Sequence, residues 1–108
     1  METEHEKNAR VFKALCDEKR LAVLELLRGG EKCACVLTDH MDISQSALSY
    51  HMKILCESGI VVSRQEGKWT HYRLSEYGAS YAKNLLVRLT TPNTVQEEDV
   101  CGACAVKK

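Results

Sequence analysis

The sequence predicts a mainly α-helical domain that carries one small antiparallel β-hairpin, with its elements in the order α-α-α-α-β-β-α. Two observations predict this fold. Apolar residues recur at helical spacing towards both ends of the chain, and two β-prone runs flank a short connection at residues 65–68. A short helix, a tight turn and a further helix precede this hairpin, which is the arrangement of a winged helix-turn-helix.

Two helices are predicted in the N-terminal part of the chain. Apolar residues such as Leu15 recur at helical spacing between residues 6 and 16. Asp17 can then cap a second helix, because its short carboxylate can accept hydrogen bonds from the first free N–H groups. The second helix ends at the pair Gly29-Gly30, since glycine readily adopts the conformation that terminates a helix.

The next two helices form the helix-turn-helix. A short third helix is predicted over residues 33–41, and Ser44 is a suitable N-cap for a fourth helix that runs until Gly59. This fourth helix is the candidate recognition helix. Its inward face carries apolar residues at positions i, i+4 and i+7, namely Leu48, Met52 and Leu55.

A two-stranded wing and a final helix complete the domain. Residues 60–64 and 69–74 are the two β-prone runs, and Gly67 between them suits a turn with positive φ. Ser75 can cap the last helix, which the sequence ends at Pro92. The apolar stripe of this helix comprises Ala82, Leu85, Leu86 and Leu89.

Composition restricts the class of protein. The 108 residues suffice for one domain, and 15 basic residues balance 15 acidic residues, so affinity for nucleic acid must come from a local basic patch. The charged N-terminus lacks the apolar stretch of an export signal, so the six cysteines indicate a reducing, cytoplasmic location. No run of about 18 apolar residues occurs, and no membrane partner is expected.

The candidate recognition helix has an outward face of residues that can contact DNA. This face comprises Gln45, Ser46, Ser49, Tyr50 and Lys53. Amide and hydroxyl groups can hydrogen-bond base edges, and a lysine can bind a phosphate. The wing adds the basic residues Arg64, Lys68 and Arg73. Because Glu66 is the single acidic residue beside them, this local excess of positive charge predicts binding to double-stranded operator DNA. Trp69 is expected to pack within the wing.

Cysteines form a second group of candidate residues. Cys33 and Cys35 lie at the predicted start of the third helix, where residues i and i+2 point in nearly opposite directions. The two thiolates could therefore bind one ion only if this end of the helix is unwound. Cys101 and Cys104 form a C-x-x-C pair that can supply further sulfur ligands. Three thiolates suit As(III) or Sb(III), whereas Cd(II), Pb(II) and Zn(II) usually accept a fourth ligand.

Three stretches of the sequence, residues 12–21, 44–53 and 66–69, closely resemble the ArsR family of metalloregulatory repressors. The resemblance covers about residues 6–90. It implies a winged helix-turn-helix homodimer, with the first and last helices at the dimer interface, that represses an operon for metal or arsenical resistance.

The resemblance also implies where an inducing ion binds. In the arsenic-sensing members, Cys-x-Cys is followed by a third cysteine three residues later. Cys33 and Cys35 match this pattern, but Thr38 occupies the third position, so a third ligand must come from elsewhere. The zinc site that other members carry on the last helix is excluded, because residues 75–89 contain no histidine and no aspartate.

These observations predict a DNA-binding and dimerisation domain at residues 1–92 and a flexible tail at residues 93–108. The predicted function is transcriptional repression that is relieved when As(III) or Sb(III) binds the cysteines. One alternative is a repressor of the same fold that responds to Cd(II), Pb(II), Zn(II) or thiol oxidation. Another is a thiol-disulfide redox protein that uses Cys101 and Cys104. Catalysis is disfavoured, because such motifs work beside a βαβ unit that this sequence lacks.

Overall fold

The computed structural model describes residues 1–93, which contain five α-helices and one three-stranded antiparallel sheet. The elements are α1 (Glu4–Leu15), α2 (Glu18–Leu27), β1 (Lys32–Cys33), α3 (Ala34–Met41), α4 (Gln45–Glu57), β2 (Val61–Glu66), β3 (Trp69–Leu74) and α5 (Glu76–Thr90). The predicted fold class and order are confirmed, with β1 as an addition. None of these helices is long and apolar enough to cross a membrane. Most of the predicted tail, with Cys101 and Cys104, lies outside the described residues.

Three predicted side-chain caps set the starts of the helices. A carboxylate oxygen of Asp17 accepts the N–H of Lys19 at 2.8 Å at the start of α2. The hydroxyl of Ser44 accepts the N–H of Ala47 at 3.0 Å at the start of α4, and Ser75 caps α5 in the same way. Each cap satisfies a backbone donor that has no partner within its helix, and typically contributes about 1 kcal/mol.

The apolar face of α4 holds this helix at the centre of the core. Leu48, Met52 and Leu55 are almost fully buried, as predicted. They belong to the same cluster of buried side chains as Leu37 of α3 and Val23 of α2. Burial of a side chain of this size contributes about 1.5–3 kcal/mol, so the inner face of α4 is firmly fixed while its outer face is free for other contacts.

Positive φ angles occur at the connections on both sides of α4. Asp42, with φ of 54°, ends α3 and turns the chain towards α4, and aspartate is among the residues that tolerate this conformation. Gly59, with φ of 86°, follows α4, and Gly67, with φ of 61°, lies in the hairpin turn. Both glycines therefore adopt the left-handed conformation that the sequence predicted for them.

The wing is part of a larger sheet than predicted. The strands lie in the order β1-β3-β2, with Lys32 opposite Tyr72 and Cys33 opposite His71. The predicted two-stranded wing is confirmed as the β2–β3 hairpin, and β1 adds a third strand that the sequence did not predict. A strand of two residues is too short to show an alternating pattern, and β1 forms because the edge of β3 offers backbone groups that need partners.

Helix α5 is held unusually close to the chain that follows α4. The backbone N–H of Ser75 donates to the carbonyl oxygen of Ile60 at 2.8 Å. Gly78 is buried, and a Cβ atom added there would lie 1.8 Å from the carbonyl oxygen of Gly59. Only glycine fits at this position, although the helical conformation itself would favour alanine.

We expect Gly78→Ala to lower the free energy of unfolding by roughly 3 kcal/mol, because the added methyl group overlaps backbone atoms that cannot rotate away. Helix propensity alone predicts that alanine raises the free energy of unfolding by about 1 kcal/mol. The sign of the measured change therefore distinguishes steric overlap from helix propensity. Urea unfolding followed by circular dichroism measures it. Lys83→Ala, at an exposed position of the same helix, is the control and should change stability little. A Gly78→Ala variant as stable as the parent would contradict the close approach.

Candidate nucleic-acid interface and thiol site

The outer face of α4 presents the residues that were predicted to contact DNA. Gln45, Ser46, Ser49, Tyr50 and Lys53 are all exposed. The side chain of Lys53 is 74% exposed and lies 3.8 Å from the carboxylate of Glu57 on the next turn, a weak contact that leaves its ammonium group accessible. The face is therefore polar and hydrogen-bond-capable, and its binding to DNA stays a prediction.

A buried polar contact anchors the inner side of α4. The guanidinium of Arg20 on α2 donates from Nη1 to Nδ1 of His51 on α4, at 2.9 Å. The same guanidinium donates to the carbonyl oxygens of Ala14 and Lys13 at the end of α1. Because guanidinium has no acceptor, Nδ1 of His51 must be the unprotonated ring nitrogen. Sequence analysis missed this link between three helices, since a charged residue such as Arg20 is seldom buried.

The wing presents basic residues on the outer face of the sheet. Arg64 lies opposite His71, and Arg73 lies opposite Val62 on the same face. The guanidinium of Arg64 is already paired, because it contacts the carboxylate of Glu31 at 2.6 Å and that of Glu66 at 3.3 Å. The prediction from the sequence considered only Glu66 as an acidic neighbour of the basic residues in the wing. Because Glu31 also pairs with Arg64, the accessible positive charge of the wing is smaller than predicted.

The tip of the wing carries one exposed aromatic side chain. Trp69 is 50% exposed, and the ammonium of Lys68 lies 5.4 Å from the centre of its ring. Trp69 was expected to pack within the wing. It makes this cation–π contact there, but half of its surface stays exposed. Both residues face outwards at the hairpin, where a winged domain approaches the DNA backbone.

Cys33 and Cys35 bring their sulfur atoms together at the junction of β1 and α3. The thiol of Cys35 donates to Sγ of Cys33 across 3.0 Å. Cys33 is the N-cap of α3 and has extended backbone angles, with φ of −71° and ψ of 147°. The sulfurs therefore lie together with α3 intact, and the binding of one ion by both stays a prediction. The pattern placed the helix start one residue early, and an N-cap side chain does not follow the helical direction.

The two thiols differ in acidity because of this contact. The hydrogen bond from Cys35 lowers the pKa of Cys33, and backbone N–H groups at the start of α3 lower it further. The pKa of Cys35 is raised, chiefly because its proton is held by Cys33 and secondly by burial. Cys33 is thus the better thiolate of the pair, while Cys35 is the more exposed residue.

The described residues supply two sulfur donors and no complete set. Among residues 1–93, no cluster of three or more His, Cys, Asp or Glu side chains could hold a metal ion. Thr38 does not complete the set, since its hydroxyl donates to the carbonyl oxygen of Cys35 at 3.0 Å and is committed to the helix backbone. Asp39 and His40 are exposed. A third donor must come from outside these residues.

Comparison with known proteins identifies the family. Residues 17–63 match the family described as "Bacterial regulatory protein, arsR family". The chain is 42% identical over 78 residues to the arsenical resistance operon repressor of Escherichia coli (strain K12), which covers 71% of this chain and 67% of that relative. The chain belongs to the ArsR family. The repressor of the same description from Staphylococcus aureus is 36% identical over 91 residues, covering 84% of this chain and 85% of the relative.

Solved structures of ArsR-family regulators share this fold. HlyU from Vibrio cholerae N16961 has a TM-score of 0.64 at 34% identity and covers 85% of this chain and 100% of its own. A structure described as a possible transcriptional regulator for arsenical resistance has a TM-score of 0.68 at 28% identity, with coverage of 90% and 97%. The ArsR-family protein is therefore a DNA-binding transcriptional repressor of winged-helix fold.

We expect alkylation by iodoacetamide to distinguish the two thiols by pH. The lowered pKa of Cys33 means that its thiolate persists to lower pH, so its midpoint of reaction should lie below that of an ordinary thiol. That of Cys35 should lie above it, because its pKa is raised. Mass spectrometry of peptides at low conversion measures both. In Cys33→Ala, the midpoint of Cys35 should fall, and equal midpoints in the parent would refute the contact.

Proposed function

We propose that this ArsR-family protein represses an arsenical or metal resistance operon and is released from its operator when As(III) or Sb(III) binds cysteine thiolates. One observation carries this proposal: two sulfur atoms lie 3.0 Å apart at the start of α3, the helix that packs against α4. The relatives from Escherichia coli and Staphylococcus aureus, described as arsenical resistance operon repressors, support it.

Operator binding is assigned to the outer face of α4 and to the wing. In this proposal, Gln45, Ser46 and Ser49 at the N-terminal part of α4 contact base edges in the major groove. Tyr50 and Lys53 contact the phosphate backbone on the same face. The wing adds Arg64, Lys68 and Arg73, whose charges would bind phosphates beside the groove. The buried Arg20–His51 contact supports this arrangement, because it keeps α4 oriented relative to α2.

A homodimer is proposed because α5 exposes an apolar surface. Tyr77, Leu86, Val87 and Leu89 on this helix are each about half exposed or more. Several large apolar side chains exposed on one helix of a small domain favour a subunit interface there. The hydroxyl of Tyr81 on α5 donates to the amide oxygen of Asn8 on α1 at 2.6 Å, which fixes the two helices side by side. Two α4 helices would then lie about one DNA turn, ~34 Å, apart.

The inducing ion is proposed to bind Cys33 and Cys35 together with a third thiolate. Cys101 or Cys104, from the same subunit or from the other, would supply this donor and so complete the trigonal set that As(III) and Sb(III) favour. Use of both tail cysteines would give four sulfurs, a set that Cd(II), Pb(II) or Zn(II) prefers. X-ray absorption of the loaded protein distinguishes three sulfur neighbours from four.

Release is proposed to follow from strain at the β1–α3 junction. Two sulfurs bound to one ion by bonds of about 2.3 Å lie at least about 3.3 Å apart when the bond angle is 90° or more, which is wider than the 3.0 Å of the thiol pair. Because Cys33 caps α3 and Leu37 of α3 is fully buried in the core, a shift at this junction reaches α4. Allosteric couplings of about 1–3 kcal/mol weaken binding roughly 5- to 150-fold, which suffices for derepression.

The contact between the two sulfurs also favours a second candidate function, a response to oxidation. A peroxide could take two electrons from the thiols of Cys33 and Cys35 and be reduced, with the two thiol protons leaving as a disulfide forms. A disulfide between residues i and i+2 is strained, so the ion-responsive function is preferred. Comparison of operator release by arsenite and by peroxide separates the two functions.

We expect Cys33→Ser to retain operator affinity within about twofold and to lose release by arsenite. Serine is nearly isosteric and is itself a good N-cap, so α3 should remain intact, while the loss of one thiolate removes the ion site. Fluorescence anisotropy of a labelled operator fragment, with and without arsenite, measures both quantities. Cys16→Ser, at an exposed thiol outside the pair, is the matched control and should still respond. Arsenite release in Cys33→Ser would contradict the assigned site.

We expect Lys53→Ala to reduce the slope of log K against log salt concentration by about one, because one phosphate contact is lost. Titration of the operator fragment at several salt concentrations measures the slope. Lys83→Ala removes the same charge from α5, away from the proposed interface, and should leave the slope unchanged. An unchanged slope in Lys53→Ala would remove Lys53 from the DNA contacts.

A further inference from the structure

The strand pairing places Cys33 in one row with residues of the wing. Cys33 on β1 lies opposite His71 on β3, and His71 lies opposite Arg64 on β2. Side chains of directly opposed residues in antiparallel strands project from the same face of the sheet. Cys33, which occupies the N-cap position of α3, is therefore connected to the wing through the sheet. This connection is separate from the contacts between α3 and α4.

An ion pair reinforces this connection. Glu31 lies two residues before Cys33, at the entrance to β1. Its Oε2 atom accepts a hydrogen bond from Nε of Arg64 at 2.9 Å and lies 2.6 Å from Nη2 of the same guanidinium. This charge-assisted contact lowers the pKa of Glu31. It spans 33 residues of sequence and joins the segment before β1 to strand β2 of the wing.

A carboxylate of the wing contacts the same guanidinium from the other side. Glu66 lies 3.3 Å from Nη1 of Arg64 and directly opposite Trp69 in the hairpin. His71 lies between the same two carboxylates, with Nδ1 at 3.9 Å from Glu31 and Nε2 at 3.5 Å from Glu66. Arg64 thus contacts Glu31, which precedes the strand that carries Cys33, and also Glu66 within the wing. Movement of Glu31 would shift the guanidinium of Arg64 towards Glu66.

We infer that the Glu31–Arg64 ion pair transmits the state of the Cys33–Cys35 pair to the wing, so that ion binding repositions the wing on DNA as well as α4. This inference rests on the proposed function and names a second path for its regulation. Arg64 then acts as a positioning residue whose guanidinium is held by Glu31 in one state and is shared differently with Glu66 in the other. Its predicted role as a direct phosphate contact becomes secondary.

The size of the effect follows from the exposure of the pair. The side chains of Arg64 and Glu31 are 51% and 28% exposed, so solvent screens their attraction and the pair can carry only part of the coupling. Arsenite weakens operator binding by some factor in the parent protein. We expect this factor to be about fivefold smaller when the Glu31 charge is removed. The β1–β3 hydrogen bonds and the α3–α4 contacts carry the remainder.

The test uses Trp69, the only tryptophan of the chain, as a natural reporter of the wing. In the parent protein without DNA, arsenite should change the emission of Trp69, because Arg64 moves relative to Glu66 on the strand opposite. In Glu31→Gln this change should be largely lost, and Glu31→Asp should restore part of it. Glu25→Gln is the matched control, since it removes an equal charge from another exposed ion pair, that with Arg28 at the end of α2, outside the sheet.

Two further measurements make the outcome decisive. Ultraviolet absorption of the sulfur–arsenic bonds reports ion binding, and anisotropy of a labelled operator reports release. The inference is supported if Glu31→Gln binds arsenite like the parent but shows a lost Trp69 response and fivefold weaker release, with Glu25→Gln unchanged. If Glu31→Gln matches the parent in both responses, the inference is overturned while the proposed function stands. If the parent neither binds arsenite nor releases the operator, the proposed function fails and the inference fails with it.

Discussion

The pairing of Lys32 and Cys33 with β3 is the constraint on which the arrangement of the site depends. It makes Cys33 the last residue of a strand and the N-cap of α3 at once. An N-cap residue has extended backbone angles, so its side chain is free to approach that of the second helical residue, Cys35. The sulfur contact, the lowered pKa of Cys33 and the connection to the wing all follow from this one junction.

The two sides of α4 are held by different kinds of interaction. Its inner side is fixed by apolar burial and by the contact between Arg20 and His51, which together restrict how the helix can rotate. Its outer side makes only exposed polar contacts, such as that of Lys53 with Glu57. This division suits a DNA reader, because groups that bind phosphates and bases must be positioned without being consumed by contacts within the protein.

Local sequence signals account for most of the fold. Asp17, Ser44 and Ser75 were predictable as caps because a short polar side chain before an apolar-periodic run has few other structural roles. Gly59 and Gly67 were predictable because positive φ restricts the choice of residue. The exposed face of α4 followed from the positions of its buried residues. Glycine 78 gave no such signal, since its constraint comes from the backbone of another segment.

The sequence by itself determined the winged helix-turn-helix, the exposed polar face of α4 and the cysteines proposed to bind an ion, because periodicity, caps and turns act over a few residues. Only the tertiary structure decided that two residues form β1, that the sulfurs of Cys33 and Cys35 meet with the helix intact, and that Arg64 is paired with Glu31. The pairing of β1 with β3 and the Arg64–Glu31 contact join groups more than 30 residues apart, and the position of Cys33 beside Cys35 follows from that pairing. They depend on how the elements pack and leave no pattern in the residues that make them.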